Sequence, residues 1–209
     1  MARNYIHTLF SDAARALQAE DGSRETYARM EQGADGSPDM LTDKEALFIA
    51  ARDSFYLTSV TPDGWPYVQH RGGPAGFLAV LQGNRLGFAD YRGNRQHVST
   101  SNLIADPRVS LFLMDYPNRR RLKVLGHARI VAAAEDPELL SRLMPEGYKA
   151  LPERAYLIDV VGYDWNCPQH ITPRFTEAEL ANALKPMADE LTRLRAENEH
   201  LRKAQTPKE

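Results

Sequence analysis

SFYLTSVTPDGWPYVQHR, residues 54–71, sets two runs rich in aromatic and β-branched residues on either side of the turn TPDG. Such residues suit a half-buried pleated surface, and Pro-Asp-Gly offers a preset φ, a side-chain acceptor and a residue free to take positive φ. The spacing predicts a strand, a tight turn and a second, antiparallel strand. Just downstream, FLAVL, the turn QGN and RLGFADY repeat the pattern. Four strands are thus expected in a short length of chain.

Working outward, RVSLFLMDY and RLKVLGHARIVAA predict long strands, and RAYLIDVVGYDW a last one. Between them, NRQHVSTSNLIADP places apolar residues at 98, 103 and 104 and stops at a proline, predicting a helix over 94–105. DPELLSRLM predicts another. Upstream, Thr42 stands three residues before Glu45, a capping-box spacing that starts a helix over 42–52. Residues 1–30 suit one or two short amphipathic helices, followed by the loop cluster EQGADGSPDM. Many antiparallel strands with short turns and few helices indicate a mainly β fold, a closed or partly closed β-barrel with flanking helices.

The tail differs. Leu180, Leu184, Met187, Leu191, Leu194, Asn198 and Leu201 recur at alternating spacings of four and three, a heptad seam with Asn198 at an a position, which favours parallel two-stranded pairing. An amphipathic helix packed on its own barrel fits the same pattern, and Pro186 is expected to kink it, leaving about two clean heptads. The chain therefore divides into an N-terminal helical extension (1–41), a barrel domain (42–175) and a C-terminal amphipathic or coiled-coil helix and tail (176–209).

Composition narrows the function classes. The chain has 209 residues, 43% hydrophobic and 26% charged, with a formal net charge of −2, which suits a globular protein and gives no broad basic surface for nucleic acid. Its one cysteine, Cys167, excludes an intramolecular disulfide, and no apolar run is long enough for a signal peptide or a membrane span. A cytoplasmic location is expected.

Three places hold candidate chemistry. Gln69, His70 and Arg71 end the second strand, just before two glycines that allow close backbone approach. Asn94, Arg95 and Gln96 lie where a strand gives way to a helix, so free amides, the helix dipole and a cation form an anion site, with simple helix capping as the alternative. DWNCPQHITPRF, residues 164–175, contains Cys167 and His170, but the cysteine lacks a helix N-terminus or a third group to activate it, and a zinc site lacks its second ligand pair. Trp165 and Arg174 remain, a flat apolar surface and a fixed cation suited to an aromatic ring that carries negative charge; the strand and loop alone favour the alternative, a core tryptophan with a surface arginine.

YRGNRQHVSTSNLIADPRVSLFLMD, with WPYVQHRGG and DWNCPQHITPRF, resembles the pyridoxamine 5′-phosphate oxidase-like flavoproteins, the FMN-binding split β-barrels, over roughly residues 42–175. The resemblance implies a homodimer with two FMN sites at its interface. It places Gln69, His70, Arg71, Asn94, Arg95 and Gln96 at the phosphate and ribityl chain, and Phe88 and Ala89 on the strand touching the flavin. Arg121 falls where a glutamine commonly reaches the flavin, and Trp165 and Arg174 would close over the ring from the other subunit. His170 stands where the oxidase grips its substrate and is a candidate proton donor. Gly72, Gly73 and Pro74 replace the oxidase's lysine, Gln96 its second helix-start cation, and His170-Ile171-Thr172 its Arg-x-His, which argues against vitamin B6 oxidation. The implied function is an FMN-dependent oxidoreductase acting on a small molecule. The alternatives are a non-enzymatic flavin carrier or sensor, or a barrel holding haem or a deazaflavin.

Overall fold

A computed structural model of the chain describes residues 4–165 and 168–205. Cys167 lies outside them. Among the described residues seven strands form one antiparallel sheet: β1 (Ser54–Val60), β2 (Pro66–Gly72), β3 (Ala79–Leu81), β4 (Arg85–Tyr91), β5 (Arg108–Asp115), β6 (Arg120–Ala132) and β7 (Pro152–Trp165), in the order β2-β1-β5-β6-β7-β4-β3. The predicted hairpin pairs in register from Ser54 opposite Gly72 to Val60 opposite Pro66. Gly64 takes a φ of 86° in its turn, the left-handed region that glycine enters at no steric cost.

The sheet curls on itself. Although β1 and β4 are separated by three strands in the sheet, the rings of Phe55 and Phe88 meet edge to face at 5.3 Å. Inward residues alternate along β1 and β5, and with Leu86, Leu122, Val124, Tyr156 and Ile158 they fill one continuous core. A bulge between Leu125 and Gly126 bends β6 against β7, where an added Cβ at Gly126 would lie 2.5 Å from Ile158. A second apolar cluster joins Val131 and Leu157 to α6 (Pro137–Arg142).

Three short helices, α1 (Asn4–Leu9), α2 (Asp12–Glu20) and α3 (Arg24–Glu31), occupy the N-terminal region, one more than the pattern predicts. Gly22, at φ 73°, breaks α2 from α3. The helix α4 (Asp43–Ala50) starts at the expected capping box, with Thr42 and Glu45 bonded reciprocally. The helix predicted over 94–105 is shorter, α5 (Val98–Ala105). Before it, Arg95 and His97 take φ of 56° and 57°, and Asn94 accepts from the Gln96 amide, a local turn that competes with helix.

The last helix, α7 (Glu177–Gln205), runs through Pro186 as one element. Thr176 and Glu179 form a second capping box at its start, with the Thr176 amide donating to Glu179 at 2.8 Å and the Glu179 amide to Thr176 at 3.2 Å. Every residue from Glu177 to Lys203 is exposed, so the apolar stripe does not pack on its own barrel.

Candidate functional site

The curl of the sheet brings β2, an edge strand, against β4. Arg71 donates to Asp90 at 2.5 Å, and its guanidinium lies over the rings of Tyr156 (5.2 Å) and Phe88 (5.7 Å). Two residues back on the same face, Gln69 accepts from Ser99 of α5 at 2.7 Å. Thr100 bonds the Tyr156 hydroxyl at 2.8 Å, and burial pushes that phenol up. Side chains from β2, β4, β7 and the start of α5 thereby converge on one hollow, lined by Gln69, Arg71, Asn94, Arg95, Gln96, Ser99, Thr100 and Arg154.

Charge defines this hollow. Arg92 and Arg95 both donate to Glu153, at 3.0 and 2.6 Å, and these two arginines hold its carboxyl down to about 2. Arg154 reaches Asp90 at 3.5 Å, Glu153 at 3.2 Å and Thr100 at 3.3 Å. Four arginines thus face two carboxylates, a local excess of two positive charges. The N-cap of α5, His97, makes no side-chain hydrogen bond to the helix, which leaves the first turn uncapped beside the hollow that Val98, Ser99 and Thr100 line. The Arg71 Nε is buried with no hydrogen-bond partner, a donor left over in the cluster. Fixed cations, an uncapped helix start and hydroxyls on one hollow form a cradle whose chemistry could hold a compact, multiply charged anion.

Its size agrees. This hollow holds 70 Å³, and it shares lining residues with hollows of 190 Å³ beside His70, Arg71, Phe88 and Ala89 and of 440 Å³ beside Arg92 and Leu151. A phosphate group suits the first; a ring system has room only in an open hollow.

The other predicted residues lie elsewhere. Neither Arg121, Trp165, His170 nor Arg174 lines the cradle. Trp165 donates to Glu45 at 2.6 Å, packs on Phe48 at 4.7 Å between centroids, and lies under Lys44 and Arg120. Arg174 covers Tyr116 at 5.0 Å, and Arg121 stands opposite Met114 in the sheet. His170 is exposed, at a φ of 61°. One chain therefore does not bring all the candidates together: Arg121, Trp165, His170 and Arg174 stand outside the cradle.

Sequence reasoning missed Arg154, Ser99 and Thr100. The serine and threonine stand one turn beyond the candidates it chose, and were hidden by setting the helix start at 94 instead of 98. Arg154 had no local signal. It reaches the cradle because β7 pairs with β4, Arg154 opposite Asp90, two strands far apart in the chain. Among the described residues no group of three or more metal-ligating side chains occurs, and no helix is long and apolar enough to cross a membrane.

Residues 41–161, more than half of the chain, match the family described as pyridoxamine 5′-phosphate oxidase. None of the curated proteins matches. Among solved structures, a HupZ protein of Group A Streptococcus is 12% identical over 65% of this chain and 100% of that one, with a TM-score of 0.50. An FMN-binding protein from Syntrophomonas wolfei is 10% identical over 72% and 97%, with a TM-score of 0.43. The general stress protein 26 of Bacillus anthracis is 16% identical over 62% and 92%, at 0.44. The fold expected from the sequence, a split β-barrel with flanking helices, is the one observed.

Proposed function

The chain belongs to the pyridoxamine 5′-phosphate oxidase family, a family that typically binds flavin, and from that premise we propose that it is a homodimeric FMN-dependent oxidoreductase acting on a small molecule other than a B6 vitamer phosphate. The observation that carries the reading is the cationic cradle at the uncapped start of α5, with its four arginines and two carboxylates. FMN ends in a phosphate, and this cradle fits it. Arg95, Arg154 and the α5 amides would hold the phosphate, with Asn94, Gln96, Ser99 and Gln69 around it and the ribityl chain. Phe88, Ala89, His70 and Arg71 flank the hollow toward which the ring would extend. The flavin, when bound, supplies the transfer of hydride or electrons, and the protein supplies binding, orientation and electrostatics. Arg121, Trp165, His170 and Arg174, which do not line the cradle of their own chain, would cover the ring of the other subunit, with His170 as the candidate proton donor.

Titration with FMN and with riboflavin, read by visible absorbance and fluorescence, tests the cradle. Charge-assisted hydrogen bonds contribute about 1.5–3 kcal/mol each, so two lost contacts predict FMN binding at least ~100-fold tighter than riboflavin. Equal affinities would remove the phosphate assignment. Anaerobic bleaching of the bound flavin by NADH or NADPH is expected; a flavin that no reductant reaches would favour a carrier or sensor instead.

A further inference from the structure

We propose that α7 pairs with α7 of a second copy of this chain as a parallel, in-register, two-stranded coiled coil. The inference stands on α7 alone and does not depend on what the barrel binds. Leu184, Met187, Leu191 and Leu194 are 54%, 70%, 47% and 41% exposed, an apolar stripe laid open along a long helix. Most helical stability in water comes from covering such a stripe, so this helix is built for a partner.

The flanks identify the partner. With Leu184, Leu191 and Asn198 at a, and Met187, Leu194 and Leu201 at d, Glu190 and Glu197 fall at g while Arg195 and Arg202 fall at e. In a parallel pair the g residue of one helix faces the e residue of the next heptad on the other. Glu190 then lies opposite Arg195, and Glu197 opposite Arg202, on both sides of the seam. An antiparallel pair sets g against g and e against e, which brings glutamate to glutamate and arginine to arginine. Within the single helix, Arg193 at c holds Glu190 at 2.7 Å and Glu197 at 3.3 Å, fixing both carboxylates on the g flank. Asn198 meets itself across the seam only in the parallel register, where its amide can bond its counterpart. Pro186 falls at c, away from the seam, N-terminal to both charged pairs. The chain thus encodes its own copy as the matching surface.

Cysteine cross-linking of the full-length chain tests this without relying on oligomeric state, which the barrel could also set. In a Cys167→Ser background, Met187→Cys and Leu201→Cys are made separately; the two sites are about 21 Å apart along the helix. Mild oxidation should link each variant to itself in more than about half of the chains, at least ~5-fold above Asp189→Cys at the outward f position, the spacing expected of d-position pairs. Links formed only when the two variants are mixed, or none at either site, would overturn the parallel coil. Glu190→Arg with Glu197→Arg should lower the Leu201→Cys yield several-fold, and mixing with Arg195→Glu, Arg202→Glu chains should restore it. A yield indifferent to these reversals would overturn the charge matching.

Discussion

Glu45 joins three parts of the chain through one carboxylate. It is almost fully buried, caps α4 through Thr42, and accepts from the Trp165 indole at the end of β7. Burial pushes its acidity one way, but the bonds from Thr42 and Trp165 outweigh it and hold the carboxyl below its usual value. The neighbouring Tyr163 is driven up to about 12 by burial and by that carboxylate. Glu45→Ala removes the cap and leaves the indole N–H without its acceptor, so a loss of about 2–4 kcal/mol is expected in urea unfolding. A loss under about 0.5 kcal/mol would refute the joint role. A carboxyl depressed in the folded state adds stability above its unfolded value and loses it as pH falls through the folded one. Acidification should therefore cost the parent chain more stability than Glu45→Gln. Trp165, chosen from sequence for its flat ring, was legible as an aromatic with a task. The core tryptophan was legible as the alternative; its partner at this corner was not, because Glu45 lies far away in the chain.

At the scale of elements, the N-terminal extension shows how a helix too short to persist alone is held. Asp39 accepts from the first amides of α1, Asn4 at 3.0 Å and Tyr5 at 2.9 Å, and the Asn4 side chain donates to Val161 of β7 at 2.8 Å. The contact needs Gly162, where an added Cβ would meet the Tyr5 backbone nitrogen at 2.7 Å. Gly162→Ala should therefore displace α1, with a loss of about 1–3 kcal/mol and faster hydrogen exchange over residues 4–9. Unchanged exchange there would show that α1 docks by other means. The capping box at Thr42 and the hairpin at 54–72 were readable because their signals lie within a few residues. The start of α5 was misplaced because polar residues 92–97 carry no apolar period, and the left-handed turns at Arg95 and His97 leave no mark in composition.

The whole molecule leaves both Trp165 and Arg174 outside the cradle of their own chain, and the proposed function requires two chains to complete one site. Hybrid dimers test this. An Arg95→Ala chain has a damaged cradle and an Arg174→Ala chain a damaged cover. A dimer of one each carries one doubly damaged site and one intact site. Mixed preparations should regain close to one flavin per hybrid dimer, while each parent retains less than about a tenth, as expected when charge-assisted contacts worth about 1.5–3 kcal/mol are lost. Hybrids no better than the parents would place each site within a single chain. The cradle exists because a curled sheet sets Arg71 of the edge strand β2 on Asp90 of β4, with four strands between them in the sheet order.

The amino-acid sequence by itself determined the strands, the hairpins, the cap of α4 and the heptad seam of α7, because each is written in periodicity and spacing over a few neighbouring residues. The family resemblance added the two candidate groups. Only the tertiary structure decided that β7 runs beside β4, that Arg154 and Glu153 belong to the same charged cluster as Arg95, and that the seam of α7 stays uncovered by its own barrel. Those are contacts between residues distant in the chain, settled by how the sheet closes over its core, and no local pattern encodes them.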